Sequence, residues 1–120
     1  MADDIKTMTS ELARDPTSLV FLRLGEALRA RGQTEPAARI AAAGVVRHPD
    51  LPDAHDLYAR VLVDLGDFER AYHEWTVVLE LDARHFGAHK GVGFLCYRWG
   101  DLDGAINHLE RALEIGRAHV

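Results

Sequence analysis

Gly32, Gly66 and Gly100 stand at equal intervals of 34 residues (66 − 32 = 34; 100 − 66 = 34), and no other feature of the chain restricts its fold so much. Five residues beyond each glycine lies an alanine: Ala37, Ala71 and Ala105. Four before each lies Leu28, Leu62 or Cys96, and eight before each lies Leu24, Tyr58 or Val92. The residue seven before each is small: Gly25, Ala59 and Gly93. Further columns align Phe21, His55 and His89, then Ala41, Trp75 and Leu109, then Gly44, Val78 and Ala112. So many coincident columns at one period define an internal repeat, and a repeat of a few tens of residues is a stack of supersecondary units.

Within each unit the apolar spacing is helical. Phe21, Leu24 and Leu28 fall on one helix face, as do Val61, Leu62 and Leu65. The repeating glycines suit the left-handed position that ends a helix. Asp67 and Asp101 follow directly and can cap the next helix; Gln33 is a poorer cap, which Thr34 would replace. Pro36 fits a first helical turn, where its missing N–H costs little. Second helices are predicted at about 37–47, 69–81 and 103–115, with breaks at His48-Pro49-Asp50-Leu51-Pro52 and Asp82-Ala83-Arg84-His85. Each unit is therefore a helical hairpin, and no strand pattern is present. Residues 1–16, with Ile5, Met8 and Leu12 on one face, read as an amphipathic N-terminal cap or partial repeat.

These columns resemble the tetratricopeptide repeat, whose pattern is W-x2-L-G-x2-Y, then A-x3-F, then P. Repeat one reads Phe21-x2-Leu24-Gly25-x2-Leu28, Ala37-x3-Ala41, Pro49. Repeat two reads His55-x2-Tyr58-Ala59-x2-Leu62, Ala71-x3-Trp75, with Ala83 where proline is expected. Repeat three reads His89-x2-Val92-Gly93-x2-Cys96, Ala105-x3-Leu109. The resemblance covers residues 18–117 and implies an all-α, right-handed solenoid of three helix-turn-helix hairpins behind an N-terminal capping helix. The units would be residues 18–51, 52–85 and 86–117 of a single domain.

Composition narrows the function classes. An apolar fraction of 48% and a charged fraction of 28% are ordinary for a globular chain, and 120 residues can bury a core without staples. The net charge of −5 opposes sequence-independent binding to nucleic-acid phosphates. The single cysteine, Cys96, precludes an internal disulfide and suits a reducing compartment. The start, Met1-Ala2-Asp3-Asp4-Ile5-Lys6, is acidic where a secretion signal is basic, and no apolar run approaches the roughly 18–20 residues that span a bilayer. The expectation is a cytoplasmic protein that binds neither membrane nor nucleic acid.

The resemblance implies that first helices line a concave groove. Its positions map onto Leu22, Arg23, Glu26 and Arg29 in repeat one, Asp56, Leu57, Arg60, Val63 and Asp64 in repeat two, and Lys90, Gly91, Phe94, Tyr97 and Arg98 in repeat three. Arginine and tyrosine often dominate binding energy at interfaces. Solvated surface charge is the plainer reading of the same residues. The second helices carry Glu69, Glu74, Glu80, Asp103, Glu110 and Glu114, so a slightly basic groove is expected against an acidic back. Some tetratricopeptide proteins grip the acidic C-terminus of chaperones with a two-carboxylate clamp. Here its positions hold Leu22, Glu26, Leu57 and Phe94, with only Lys90 basic, so the resemblance implies no clamp.

Seven histidines invite a metal site, but His85 falls in a turn and no cysteine or third ligand completes a zinc spacing with His55 or His89. Histidine at the repeat's tryptophan position is expected to pack in the helix interface. Cys96 falls on the buried column and behaves there as a small hydrophobe. Gly91-x-Gly93 lies within a helix and cradles no phosphate. No triad, cofactor loop or metal is expected, and no enzymatic activity. The leading expectation is a scaffold that holds a peptide or partner segment in its groove. The alternatives are self-assembly into oligomers through an unprotected third-repeat end formed by Leu95, Trp99, Leu109 and Leu113, and a small chaperone of the kind that shelters secretion substrates.

Overall fold

The computed structural model describes residues 4–118. Residues 1–3, which open the acidic start and the N-terminal segment, and His119-Val120 lie outside the described residues. The chain runs α1 (Ile5–Arg14), α2 (Val20–Ala30), α3 (Thr34–Arg47), α4 (Pro52–Asp64), α5 (Phe68–Leu81), α6 (Phe86–Arg98) and α7 (Leu102–Ala118), with no strand among the described residues. No helix is long and apolar enough to cross a membrane.

The glycine ladder has one local cause. Gly32, Gly66 and Gly100 sit at φ of 74°, 82° and 82°, a region that disfavours any Cβ. At each, the next residue's N–H reaches back to a carbonyl five residues earlier: Gln33 to Leu28, Asp67 to Leu62 and Asp101 to Cys96, all at 2.9 Å. The glycine N–H closes the inner bond, to Arg29, Val63 and Tyr97. This is the Schellman stop, and its last residue immediately becomes the N-cap of the following helix. The Asp67 carboxylate accepts from Arg70 N–H at 3.3 Å and the Asp101 carboxylate from Gly104 N–H at 3.0 Å. The first hairpin differs. Gln33 makes no side-chain cap, and the Thr34 hydroxyl reaches only the Gly32 carbonyl, at 3.5 Å, instead of capping α3. The second helices begin one to three residues earlier than the sequence predicts, since capping starts directly after the turn.

Each helix packs on its neighbours in sequence. Successive first helices also touch, α2 with α4 and α4 with α6, whereas α3, α5 and α7 do not. An inner row closer-set than the outer row bends the stack, with α2, α4 and α6 on the concave side. Small residues allow this approach. The Leu57 side chain comes within 2.7 Å of where a Cβ on Gly25 would stand, the Phe21 ring fills the space over Gly44, and the Trp75 ring fills the space over Gly91. The apolar core is two clusters that meet at α4: Ala54, Leu57 and Val61 join the α1–α3 side, and Ala59 and Leu62 join the α5–α7 side. Each fully buried large side chain, such as Phe21, Leu24 or Leu95, contributes about 1.5–3 kcal/mol. Burial of Leu95 removes it from the expected exposed end; Trp99, Leu109 and Leu113 remain exposed there.

Candidate functional site

The concave face holds two clefts that share Asp56 and Arg60 and so form one groove across α2, α4 and α6. The first encloses about 660 Å³ between α2 and α4, lined by Leu22, Arg23, Glu26, Ala27, Ala30, Asp53, Asp56, Leu57 and Arg60. The second encloses about 420 Å³ between α4 and α6, lined by Asp56, Arg60, Trp75, Phe86, Gly87, Lys90, Gly91 and Phe94. Most of the residues assigned to a groove from the sequence lie here. Arg29, Val63, Asp64, Tyr97 and Arg98 line neither cleft, and Leu57 is a buried floor residue that presents almost no surface to a ligand.

The expectation of a basic groove needs correction, because two of its four arginines, Arg29 and Arg60, are engaged by carboxylates of the same face. Arg60 Nη1 donates to both oxygens of Glu26 at 2.7 and 2.6 Å, across one repeat, and Arg60 Nε donates to Asp56 at 3.2 Å. Arg29 Nε donates to Asp64 at 2.6 Å, and its Nη1 donates to Glu26 at 3.2 Å. The Arg60–Glu26 and Arg29–Asp64 pairs bridge α2 to α4 along the groove wall. Burial alone would raise the Glu26 carboxyl, but hydrogen bonds and attraction from Arg60 and Arg29 overcome it and hold the group below its ordinary range. For Arg29, burial opposes the charge and the Asp64 and Glu26 carboxylates outweigh it, so the guanidinium is held above its ordinary value. Arg98 lies over the Phe68 ring, 4.3 Å from its centroid, and Lys90 lies 5.8 Å from that of Phe86.

The groove floor is organised by Asp56. One carboxylate oxygen accepts from the Trp75 indole N–H at 2.9 Å, and the other from Arg60. This bond fixes Trp75, which is buried, against Gly91 at the base of the second cleft. Sequence reasoning left Asp53, Phe86 and Gly87 outside the site, and placed Trp75 only in the core or interface. Extending the α4 and α6 groove faces back one turn, from Asp56 to Asp53 and from Lys90 to Phe86, would have found two of them.

His55 and His89 tie their hairpins together, and His85 reaches from the start of α6 to α4. His55 Nε2 donates to the Pro49 carbonyl at 2.7 Å, and its Nδ1 lies 2.7 Å from Glu74. One repeat later, His89 Nε2 donates to the Ala83 carbonyl at 2.8 Å, and its Nδ1 faces His108 Nδ1 at 3.1 Å. His85 caps α6, its Nδ1 accepting from Ala88 N–H at 3.1 Å while Nε2 donates to Asp53 at 3.1 Å. No group of three or more metal-ligating side chains gathers among the described residues. Burial, with the nearby Asp101 carboxylate, raises the Cys96 thiol above its usual value, which suppresses the thiolate needed of a nucleophile.

No family model matches the sequence. No curated protein matches it either. Solved structures do. A crystal structure of MamA aligns with 96% of this chain and 68% of its own at 18% identity, with a TM-score of 0.83. MamA of Desulfovibrio magneticus RS-1 aligns with 95% of this chain and 65% of its own at 21% identity and a TM-score of 0.81. A thermophilic TPR protein of Thermus thermophilus aligns with 92% of this chain and 63% of its own at 19% identity and a TM-score of 0.84. The chain thus spans about two thirds of the length of these proteins, and at such identities the likeness is one of fold. The glycine stops, the hairpins and these neighbours agree: the chain has the tetratricopeptide-repeat fold.

Proposed function

We propose that the chain is a protein-interaction module that holds a segment of a partner protein in its concave groove, and that it carries out no chemistry of its own. The observation that carries this reading is the continuity of the two clefts through Asp56 and Arg60, with exposed Phe94 and Phe86 beside a polar wall. Rigid inner helices that present both apolar and charged groups suit a docked peptide, which needs pockets for anchors and polar contacts for register. The buried thiol of Cys96 agrees with a reducing compartment such as the cytoplasm. The reading is tested with a photo-reactive amino acid at Ala30, in the groove, or at Val46, on the exposed outer surface. Cross-links to a partner from position 30 and none from position 46 are expected; the reverse pattern would sink the proposal.

A second reading, self-association, has its own observation. Trp99, Leu102, Ile106, Leu109 and Leu113 are apolar and exposed on the third hairpin. Apolar stripes of this kind mark interaction surfaces. Light scattering over a dilution series decides it: a mass that rises with concentration, and that Leu113→Glu returns to the monomer value, supports self-association, whereas a constant monomer mass removes it.

A further inference from the structure

The concave face carries an imbalance that its near-neutral sum of charges hides. Three of its acids are held by arginines of the same chain: Glu26 by Arg60 and Arg29, Asp56 by Arg60, and Asp64 by Arg29. The exposed Asp53 only accepts a hydrogen bond from the His85 imidazole, whose Nδ1 in turn accepts from Ala88 N–H. Its cations are not all matched in return. Arg23 and Lys90 are exposed and make no ion pair among the described residues. Arg23 lines the α2 side of the groove, and Lys90 lines the α6 side beside Phe86 and Phe94. Between them, the one acid in the second cleft, Asp56, is turned to the Trp75 indole and Arg60.

From this we infer that the segment held in the groove is acidic and carries one aromatic or large aliphatic anchor. The anchor enters the cleft between Phe86 and Phe94 over Trp75, and carboxylates on its two sides pair with Lys90 and Arg23. This rests on the groove reading above and adds the chemistry of the ligand. The two exposed phenylalanines supply the apolar wall that an anchor desolvates, and anchors in such pockets dominate peptide affinity. A basic segment would find Glu26, Asp56 and Asp64 already engaged by Arg29 and Arg60, leaving it Asp53 against two cations of its own sign, a balance that electrostatic complementarity disfavours. A nucleic-acid strand needs a continuous basic track, and two separated cations do not provide one.

The test uses the full chain, immobilised and panned against a library of random linear peptides. The expected pool is rich in Asp and Glu around a Phe, Trp or Leu. Selected peptides, synthesised with a fluorophore, should bind more weakly as NaCl rises, and should lose about tenfold or more in affinity on the double variant Arg23→Glu/Lys90→Glu. Both positions are exposed, and an unchanged circular dichroism spectrum and melting curve would show that this variant is folded. Phe94→Ser should weaken the same peptides without altering their salt dependence. A basic or uncharged pool, an empty pool, or acidic peptides indifferent to the double variant would each overturn the inference. Failure of the groove reading looks different: acidic peptides would bind yet fail to cross-link from position 30.

Discussion

At the residue scale, Asp56 and Gly44 carry consequences out of proportion to their size. Asp56 is a buried carboxylate whose partners are the Trp75 indole and Arg60. Asp56→Ala would leave a buried indole N–H without an acceptor, at about 1–3 kcal/mol. Arg60→Ala would remove a solvent-facing ion pair to Glu26 and a part-buried one to Asp56 while leaving the Asp56–Trp75 bond in place, at about 1 kcal/mol. Urea denaturation of the two variants should therefore rank Asp56→Ala as the more damaging, and the opposite order would mean that Asp56 is not the support of the groove floor. At Gly44 even a methyl group would overlap the Phe21 ring, so Gly44→Ala should lose about 1–3 kcal/mol by overpacking. Phe21→Leu on that background should restore part of the loss. Additive effects of the two changes in a double-mutant cycle would contradict the contact.

At the scale of the element, two hairpins are stitched by the same pair of positions with different chemistry. His55 and Glu74 lie 19 residues apart and join α4 to α5, while His89 and His108, also 19 apart, join α6 to α7. In the third hairpin His89 Nε2 must donate to a carbonyl, so in the neutral pair His108 Nδ1–H donates to His89 Nδ1. One extra proton can reverse that bond; a second would set two cations against each other. Burial lowers the His108 imidazole below its ordinary value, His89 and Arg111 lower it further, and the Asp101 carboxylate opposes them. Tyr72, Thr76, Leu79 and Glu80 face it across the cleft with α5, so Glu80 is the one other acid on that side. Because the folded value lies below the unfolded one of about 6.5, the unfolded chain takes up the proton first. The stabilisation is complete above about pH 6.5 and is lost as the pH falls below that. Urea midpoints should drop between neutral pH and mildly acidic pH. His108→Glu recreates the His–carboxylate pair of the second hairpin and should flatten or reverse that drop; an equal drop in the variant would show that the pair is not responsible.

The same hairpin spacing explains what the sequence disclosed. Helices, turns and the inner row followed from the columns around Gly32, Gly66 and Gly100, because the left-handed residue of a Schellman stop strongly favours glycine. The neutralised groove was harder to read. Assigning Arg29 and Arg60 to a ligand treated each repeat alone, whereas their partners Asp64 and Glu26 lie about one repeat away. Glu26 and Arg60 in fact share a column (60 − 26 = 34), so opposite charges stacked in register were visible as a signal. Asp56 and Trp75 repeat the 19-residue hairpin interval (75 − 56 = 19), a relation that appears only once both helices are known to pack. Exposure at the end of a stack depends on what packs beyond it, so Leu95 could not be separated from Leu109 and Leu113 by periodicity.

At the scale of the whole molecule, the stack is close to one-dimensional: an elongated body of 45 × 30 × 27 Å in which helices touch only near neighbours. In such a chain each unit is stabilised by its own packing and by the interfaces on its two sides. α4 alone among the first helices contributes buried residues to both apolar clusters, with Ala54, Leu57 and Val61 on one side and Ala59 and Leu62 on the other. α1 has a neighbour on one side only, and α7 has several large apolar side chains in solvent. Local opening should therefore begin at the ends and reach α4 last, because opening α4 disrupts both clusters at once. Hydrogen exchange followed by mass spectrometry should show protection that peaks in α4 and falls toward α1 and α7. A bound peptide bridging α2, α4 and α6 should raise protection across all three inner helices and spare the outer faces of α3 and α5. Protection highest in α7 of the free chain would point instead to a covered third-hairpin surface, and so to self-association.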